Sequence, residues 1–539
     1  MSYPVEEAAS YDLETFEKQL NRVHEAVKGR ARTLADLPVS SSKESIERCL
    51  STLPSDLPEQ GLGLEETTNH LLETISPALM PAQSGPRCFG LVIGGVTPAS
   101  QLAESIVTSY DPCVQVHWPE VTASVAIEAL TLNYLLTLLS LPKADYVQNT
   151  ITTGATASNF LGLALGRNFA ISSVKARQGV ENWSVPDDGY GGIDVDVFVV
   201  DAHASSRKAA SLAGIGRRNV HEIGDKDLEE KGYLCCFDLE ELEKRLMSNY
   251  DNGRGSIVAT SFGEVNTSAI ACDTPVVRTL CDKYSAWLHC DAAFGAFAIL
   301  HPDFEIYTSH LSLADSITSD AHKALNVPYD CGLFFSRKRS ITPSDPSQVV
   351  SLFDLTGPGS IAAAYLSSSS SPNSSPASSF PRLEESRKLP SPLFMGIENS
   401  RRFRALPLYC SLLSLGSKGY KSLIQRQISF ARNLESYLRS HSAYQVLTPS
   451  PRDDDDPYYY KLYNVILFKP SSLAPTKYLD NSSGDNLLVK ALNESREIFV
   501  TGTQWRGEKA VRIAVSNWMT LEERDLEIVK KVLDKVMQY

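Results

Sequence analysis

The amino-acid sequence predicts an α/β protein, with a large domain built on a mostly parallel β-sheet and a smaller α+β domain at the C-terminus. Two observations lead to this prediction. From about residue 86 to residue 340, short apolar runs alternate with helical patterns, which is typical of βαβ units. From residue 396 helical periodicity returns, and the chain ends in a predicted strand followed by a helix. A length of 539 residues accommodates both domains and a further N-terminal segment.

Three regions follow one another along the chain. Residues 1–85 have a polar helical pattern broken by prolines, which predicts an N-terminal helical arm. Residues 86–395 form the predicted large domain, which includes a Ser/Pro-rich stretch at about 340–395 that is expected to be a mobile loop. Residues 396–539 form the predicted small domain.

The last helix of the small domain has a clear pattern. Thr520 and Glu523 have the spacing of an N-terminal capping box. Four apolar residues then share one predicted face of the helix: Leu526, Val529, Leu533 and Val536.

Composition narrows the class of protein. Hydrophobic residues make up 42% and charged residues 21% of the chain, as in soluble globular proteins, and the net charge of -13 argues against non-specific nucleic-acid binding. The longest apolar run, "ALTLNYLLTLLSL", is too short for a membrane span, and the first residues lack the apolar region of a secretory signal. The ten cysteines are scattered without CxxC pairs. We therefore expect a cytoplasmic protein without nucleic-acid or membrane partners.

Polar residues stand at the ends of most predicted strands of the large domain. The strand candidates are 197–201, 256–261, 286–291, 315–320 and 331–336. All five end in Asp or Ser, whereas the preceding residues are mostly apolar. Ligands of open α/β sheets bind outside the carboxyl ends of the strands, so these ends are where a site is expected.

Lys323, in "SDAHKALNVPYDCG", is a candidate nucleophile. A lysine amine becomes nucleophilic near neutral pH when desolvation or neighbouring charge favours its neutral form, and its main use is to form Schiff bases. The alternative is a solvated lysine at the end of a strand.

Asp291 and His203 each follow a predicted strand. Asp291 ends "AWLHCD" before small residues, where a carboxylate could approach a heteroaromatic ring and keep a pyridine nitrogen protonated. The alternative is a helix-capping or turn aspartate. His203 lies two residues past "VFVVD", where an imidazole could stack on a ring or transfer a proton, or could simply cap the next helix.

The stretch "TTGATASNFLGLALGRN" (152–168) places Gly154 at the opening of an apolar helix, where backbone N–H groups can bind a phosphate. It lacks the pattern of a P-loop or of a dinucleotide-binding loop, and a generic helix start is the alternative. No spacing matches a zinc signature, and no metal site is expected. No G-x-S-x-G motif is present. Taken together, the phosphate-type helix start, His203, Asp291 and Lys323 supply one group for each requirement of pyridoxal phosphate (PLP).

The sequence resembles the group II PLP-dependent decarboxylases, the family of the aromatic-L-amino-acid, tyrosine and glutamate decarboxylases. The resemblance runs from about residue 86 to near the C-terminus. It is carried by "DSITSDAHKALNVPYDCG" around the lysine, "WLHCDAAFGAF" around the aspartate and "VVDAHASSRKAASLAGIG" around the histidine.

The resemblance implies the aspartate-aminotransferase-like fold (fold type I) and a homodimer with its sites at the subunit interface. It implies that Lys323 carries the cofactor as an internal aldimine, that Asp291 pairs with the pyridine nitrogen and that His203 stacks on the ring. A loop tyrosine, matched here by Tyr365, would return the proton to the substrate. The remaining cofactor contacts would be Ala155, Thr156, His322 and Ala293.

The implied activity is decarboxylation of an L-amino acid, expected to be aromatic (tyrosine, dopa or tryptophan), to the amine and CO2. The alternatives are an aldehyde synthase, a decarboxylase of an acidic amino acid, and a non-catalytic dimeric protein with the same fold. Three features depart from the aromatic decarboxylases. Asp320 stands where they usually have Asn, "SFGEVNTSAIACD" replaces a Gly-Thr-Thr segment, and "LVIGGVTP" replaces an aromatic pocket segment.

Overall fold

The structure is a computed structural model that describes residues 12–180, 182–342, 345–350, 386–452, 456–479 and 484–538, without the side chains of 342–348. The predicted Ser-rich loop therefore lies largely outside the described residues.

The chain divides into two compact units. One comprises Met1–Leu91, Leu434–Val446 and Phe468–Tyr539, and the other comprises Val92–Asn433 and Leu447–Leu467. The domain boundaries expected from the sequence, after residues 85 and 395, stay a prediction.

The larger unit is built on a seven-stranded sheet with strand order β1-β7-β6-β5-β4-β2-β3. Neighbouring strands from β3 to β6 pair in parallel, whereas β7 is antiparallel to both β6 and β1. The mostly parallel sheet is as predicted, and each of the five predicted strands overlaps an observed one. The strands are β1 (Tyr146–Thr152), β2 (Val195–Val199), β3 (Val220–Glu222), β4 (Gly255–Ser261), β5 (Trp287–Asp291), β6 (Ser316–Asp320) and β7 (Gly332–Arg337).

Helices cover both faces of this sheet, and among the described residues no helix is long and apolar enough to cross a membrane. The helices of this unit are α5 (Pro98–Tyr110), α6 (Ser124–Leu138), α7 (Ala155–Arg177), α8 (Val185–Asp188), α9 (Ala204–Leu212), α10 (Lys226–Glu230), α11 (Leu239–Asp251), α12 (Thr274–Lys283), α13 (Thr308–Leu311), α14 (Ala321–Ala324) and most of α15 (Ala405–Ser440, interrupted at Gly416). Short 3-10 turns span Arg217–Asn219, Gly295–Leu300, Pro302–Tyr307 and Pro392–Phe394, and a small hairpin pairs β8 (Ser340–Thr342) with β9 (Asp345–Val349).

Alternate residues of β4 face different helix layers, as the two-residue period of a strand requires. Ile257 packs in the apolar cluster that includes Phe169 of α7, and Val258 packs in the opposite cluster with Leu242 of α11. Each large side chain buried in this way contributes roughly 1.5–3 kcal/mol to the free energy of unfolding.

Helix α7 lies close against β5 because two of its residues have no side chain. A Cβ on Gly166 would lie 2.7 Å from Cδ1 of Trp287, and a Cβ on Gly162 would overlap the ring of His289. This contact fixes the N-terminus of α7 near the carboxyl ends of β5 and β6, where the sequence predicts the site.

The smaller unit contains helices at both ends of the chain and a four-stranded sheet with order β10-β11-β13-β12. Its strands are β10 (Tyr444–Val446), the end of β11 (Val465–Pro470), β12 (Thr501–Trp505) and β13 (Glu508–Ala514). Its helices are α1 (Leu13–Thr33), α2 (Lys43–Thr52), α3 (Gly63–Asn69), α4 (Ser76–Ala78), the end of α15, α16 (Leu487–Glu494) and α17 (Glu527–Gln538), with π-helical turns at His70–Ile75 and Glu522–Leu526 and a 3-10 turn at Thr476–Tyr478.

The predicted apolar face of the last helix is confirmed, since Leu526, Val529, Leu533 and Val536 are all buried. The predicted capping box is wrong. The hydroxyl of Thr520 donates a 2.8 Å hydrogen bond to the carbonyl oxygen of Pro86, so it does not cap the helix. Instead, the carboxylate of Asp525 accepts the N–H of Leu521 at 2.9 Å.

Candidate active site

Two carboxylates end neighbouring strands at the same edge of the large sheet. Asp291 is the last residue of β5, and Asp320 is the last residue of β6. Backbone hydrogen bonds tie the two strand ends together. The N–H of Ala292 donates to the oxygen of Thr318 (2.9 Å), and the N–H of Asp320 donates to the oxygen of Ala293 (2.8 Å). The predicted lysine and aspartate segments therefore meet.

Lys323 follows β6 directly, on the single turn of α14. Its side chain is 23% exposed, and its Nζ lies 3.0 Å from Oδ2 of Asp320, whose side chain is 2% exposed. The alternative of a solvated surface lysine does not describe this geometry. At this distance the carboxylate and the amine form an ion pair.

His322 lies beside the same carboxylate. Its Nε2 is 3.6 Å from Oδ2 of Asp320, and its ring packs against Tyr329 with the centroids 5.3 Å apart. Burial lowers the pKa of the His322 imidazole, which favours its neutral form at neutral pH.

Asp291 is bound by neutral hydrogen-bond donors. Its Oδ2 accepts the side-chain N–H of Asn159 at 2.8 Å, and its Oδ1 accepts the N–H of Ala293 at 3.3 Å. Asn159 lies in the second turn of α7 and is 1% exposed. Helix α7 therefore provides a fixed support for this carboxylate.

The orientation of Asn159 is set by a chain of hydrogen bonds behind it. Trp287 can only donate, and its Nε1–H donates to Oγ of Ser316 (2.9 Å), whose hydroxyl then donates to Nδ1 of His289 (2.8 Å). His289 donates its Nε2–H to Oδ1 of Asn159 (2.9 Å), which leaves the amide N–H for Asp291. Every donor in this chain points toward the carboxylate, which is the arrangement that an ionised acid needs.

The hydrogen bonds from Trp287 to Asp291 all have the same donor-to-acceptor direction only if His289 is neutral. It is 2% exposed, and burial lowers the pKa of its imidazole to about 4.

The N-terminus of α7 lies at the same strand ends. Gly154 precedes the helix with φ 153° and ψ 175°, a conformation that is essentially restricted to glycine. A Cβ at Gly154 would lie 3.5 Å from Cε1 of His322 and 3.8 Å from Oδ1 of Asp320. Ala155 and Thr156 begin the helix, and the first N–H groups of a helix have no intrahelical acceptor, so they are available to an anion.

His203 caps α9 and is exposed. Its Nδ1 accepts hydrogen bonds from the N–H of Ser205 (3.2 Å) and the hydroxyl of Ser205 (2.8 Å), so the ring proton belongs on Nε2. Ser205 also lies 3.4 Å from the amide nitrogen of Asn159. His203 is thus joined to Asp291 through two side chains, while its function as a ring-stacking residue stays a prediction. Tyr365 lies outside the described residues.

Asn159 and His289 are site residues that the sequence analysis did not single out. Both stand inside quoted segments, "TTGATASN" and "WLHCD". The sequence did contain a signal for both residues, because an amide or an imidazole in an otherwise apolar element requires a hydrogen-bond partner when it is buried. Asn159 and its partner Asp291, however, are 132 residues apart in the sequence.

Comparison with known proteins shows the family of the chain. Residues 47–351, more than half of the chain, match the pyridoxal-dependent decarboxylase conserved domain. The chain is 23% identical to phenylacetaldehyde synthase of a Rosa hybrid cultivar, covering 97% of this chain and 94% of the relative. It is 24% identical to tyrosine decarboxylase 4 of Petroselinum crispum, covering 87% and 83%.

The crystal structure of Oryza sativa TDC with PLP and tryptamine superposes on the full length of both chains with a TM-score of 0.76 at 19% identity. This likeness confirms the predicted fold type I.

The residues present fit PLP. Gly154 lies beside His322 and Asp320 in a conformation that favours glycine, and the start of α7 supplies amides for a phosphate. Asp291 is held by the amide of Asn159 and the N–H of Ala293, and its carboxylate is the type of acceptor that a protonated ring nitrogen requires. Within the described residues, Oδ1 of Asp320 and Oγ1 of Thr318 are buried without a hydrogen-bond partner. Lys323 supplies the amine.

Proposed function

Because the chain belongs to the pyridoxal-dependent decarboxylase family, and is therefore a PLP-dependent amino-acid decarboxylase, we propose that it converts an aromatic L-amino acid to the corresponding amine and CO2. The observation that carries the proposal is the meeting of Lys323 and Asp291 at adjacent strand ends, beside the N-terminus of α7. Lys323 would bind the cofactor covalently through Nζ, and Ala155 and Thr156 would bind its phosphate.

The bound cofactor supplies an electron sink that stabilises negative charge at the substrate Cα when CO2 leaves. The function of Asp291 would be to hold a proton on the ring nitrogen, and the series of hydrogen bonds from Trp287 through Asn159 directs an amide N–H at this carboxylate. His203 would cover the exposed face of the ring, and Ala293 would contact the cofactor from the turn after Asp291.

Two groups are suited to handle protons near the reacting carbon. His322 is half-buried, desolvation lowers its pKa and favours the neutral form, and it would lie against the cofactor. Tyr365 would deliver the proton to Cα from the loop after the lysine segment. Both assignments derive from the match to the family's motifs.

The aromatic substrate class is supported by two relatives. One is named a tyrosine decarboxylase, and the Oryza sativa TDC structure contains tryptamine, an aromatic amine. A second candidate function, aldehyde synthesis, is favoured by the phenylacetaldehyde synthase match over 97% of this chain. That reaction would consume O2 and water and release the aldehyde, CO2, ammonia and hydrogen peroxide.

The active assembly would be a homodimer. Helix α5 exposes Leu102 (72%), Ile106 (51%) and Tyr110 (78%) at four-residue spacing, which forms one continuous apolar stripe. A second copy of the chain would cover this stripe. Light scattering should give a dimer for the wild type and a monomer for Leu102→Glu with Ile106→Glu, while Val276→Glu on α12 serves as a matched control. A wild-type monomer would contradict the proposal.

A cytoplasmic location is part of the proposal. All ten cysteines are free thiols, and the sulfurs of Cys236 and Cys272 lie 3.4 Å apart without a bond. Free thiols persist in reducing compartments.

The substrate assay is a screen of the twenty amino acids, dopa and 5-hydroxytryptophan for CO2 release, with Lys323→Ala as the blank. Amine, aldehyde and peroxide are quantified in the same reactions. We expect CO2 and amine in equal amounts from an aromatic substrate. Aldehyde and peroxide without amine would establish the second candidate, and CO2 from a non-aromatic substrate alone would overturn the aromatic assignment.

A further inference from the structure

The carboxylate of Asp320 faces two cation-forming side chains. Its Oδ2 lies 3.0 Å from Nζ of Lys323 and 3.6 Å from Nε2 of His322. The nitrogen nearer to this oxygen is that of Lys323, so the closer ion pair of the group is Asp320–Lys323. Asp320 is 2% exposed, so water screens the pair weakly.

The position of Asp320 is fixed by the backbone. It ends β6, and its N–H donates to the oxygen of Ala293 at 2.8 Å. Its second oxygen, Oδ1, has no hydrogen-bond partner among the described residues and lies 3.8 Å from the place where a Cβ of Gly154 would stand. The carboxylate therefore stands between the amine that would bind the cofactor and the amides that would bind its phosphate.

An ammonium group is not a nucleophile. When Lys323 binds the aldehyde, its –NH3⁺ nitrogen bonds to the aldehyde carbon, and one water leaves with the aldehyde oxygen and two of the three ammonium protons. The nitrogen keeps one proton, so the net charge is unchanged. The amine must lose its first proton before it attacks, and that loss breaks the ion pair with Asp320.

We propose that Asp320 is a positioning residue that binds the free Lys323 side chain as an ammonium ion, both before the cofactor attaches and after a substrate amine has displaced the lysine. The proposal rests on Lys323 as the attachment residue of the proposed function. It implies two effects of opposite sign for Asp320→Asn. Attachment of the cofactor becomes faster, and displacement of the lysine by substrate becomes slower.

The first experiment measures attachment without catalysis. Cofactor-free protein is mixed with PLP, samples are quenched with borohydride over time, and the reduced adduct on Lys323 is quantified by peptide mass spectrometry. We expect Asp320→Asn to accelerate attachment at least about threefold, since partly buried ion pairs contribute on the order of 1 kcal/mol. Asp320→Glu should restore the wild-type rate. Asp330→Asn, the same change at an exposed position of the next turn, should leave the rate within about twofold.

Asp320 could also slow attachment by repelling the cofactor phosphate. Pyridoxal, which has no phosphate, separates this repulsion from the effect of the ion pair with Lys323. An equal gain for Asp320→Asn with pyridoxal supports the proposal. A gain confined to PLP would overturn it, because the effect would then belong to repulsion between Asp320 and the phosphate.

The second experiment uses the loaded enzyme. On mixing with an amino-acid substrate in a stopped-flow spectrophotometer, Asp320→Asn should show at least about threefold slower displacement of Lys323, together with a lower kcat/KM. A structural defect would slow attachment and displacement together, and that result would overturn the proposal. An adduct on a lysine other than Lys323 in the wild type would instead contradict the attachment residue itself. Thermal unfolding of each variant verifies that it is folded.

Discussion

Asp291 and Asp320 are the same residue type at the same place on neighbouring strands, yet their surroundings differ. Asp291 accepts hydrogen bonds from the neutral amide of Asn159 and the backbone N–H of Ala293. Asp320 faces the ammonium of Lys323. Pairs of acids in unlike environments take unlike functions. We assign Asp291 to the ring nitrogen of the cofactor and Asp320 to the lysine.

The difference arises from the turn at the carboxyl end of each strand. After β6 the chain turns at once into α14, so Lys323 returns to Asp320 three residues later. The residues directly after β5 are small and offer Asp291 no charged partner. Its side-chain hydrogen bond comes from α7, which lies earlier in the same unit. One carboxylate is paired locally, and the other is paired through the packing of a helix on the sheet.

The largest expected effect is that of Asp291→Asn. Removing one partner of a buried charged pair costs about 3–5 kcal/mol, so kcat should fall by at least about 100-fold while Lys323 still binds PLP. Steady-state kinetics and borohydride mapping measure the two properties. Asp145→Asn, an exposed position before β1, is the control. Loss of attachment with retained turnover in Asp291→Asn would reverse the assignment of the two acids.

His289 should make stability depend on pH. The unfolded chain protonates this imidazole near its ordinary pKa of 6.5, whereas the folded protein does so only at about 4. Between these values the unfolded state binds more protons, so stability decreases as the pH falls from about 6.5 to about 4, by roughly 3 kcal/mol.

Urea unfolding of the cofactor-free protein across this range measures the slope. His289→Gln, which keeps a donor for Asn159, should flatten it. An unchanged slope in this variant would contradict the neutral His289 in the donor chain.

Asn159→Ala removes the donor to Asp291 and the acceptor of His289 together. Hydrogen bonds to charged groups contribute about 1.5–3 kcal/mol, so we expect roughly a tenfold decrease in kcat and a loss of about 2 kcal/mol in the free energy of unfolding. Ser309→Ala, on the short helix α13 with an exposed hydroxyl, is a comparable truncation away from the site. Full activity of Asn159→Ala would show that Asp291 needs no support.

Gly154→Ala should have the smallest effect. A Cβ there meets only ordinary contacts, but the backbone conformation costs a non-glycine residue about 1–3 kcal/mol. We expect severalfold weaker binding of PLP, measured by titration of cofactor-free protein, and an unchanged position of attachment. Gly192→Ala, at an exposed turn with φ 75°, tests the cost of a positive φ away from the site. Equal binding in Gly154→Ala would contradict a phosphate site at the start of α7.

The elements that the sequence predicted well are those with local signals. Strands β4 and β5 are mostly apolar runs with a polar last residue, and Lys323 stands in a segment specific to one family. Strand β1 was missed because "YVQNTIT" is mostly polar and lies at the edge of the sheet. The contact between Asn159 and Asp291 could not be predicted from spacing, because it depends on how closely α7 packs on β5. Thr520 has the spacing of a cap, but a tertiary hydrogen bond to Pro86 is made instead.

The assignment of Asp291 to the ring nitrogen and of Asp320 to the lysine is tested most directly by a crystal structure of the protein with PLP bound. We predict that the ring nitrogen lies within hydrogen-bond distance of the Asp291 carboxylate, that Nζ of Lys323 is bonded to the aldehyde carbon, and that Asp320 lies on the lysine side. A ring nitrogen bound by Asp320, or a cofactor attached to another lysine, would contradict the account.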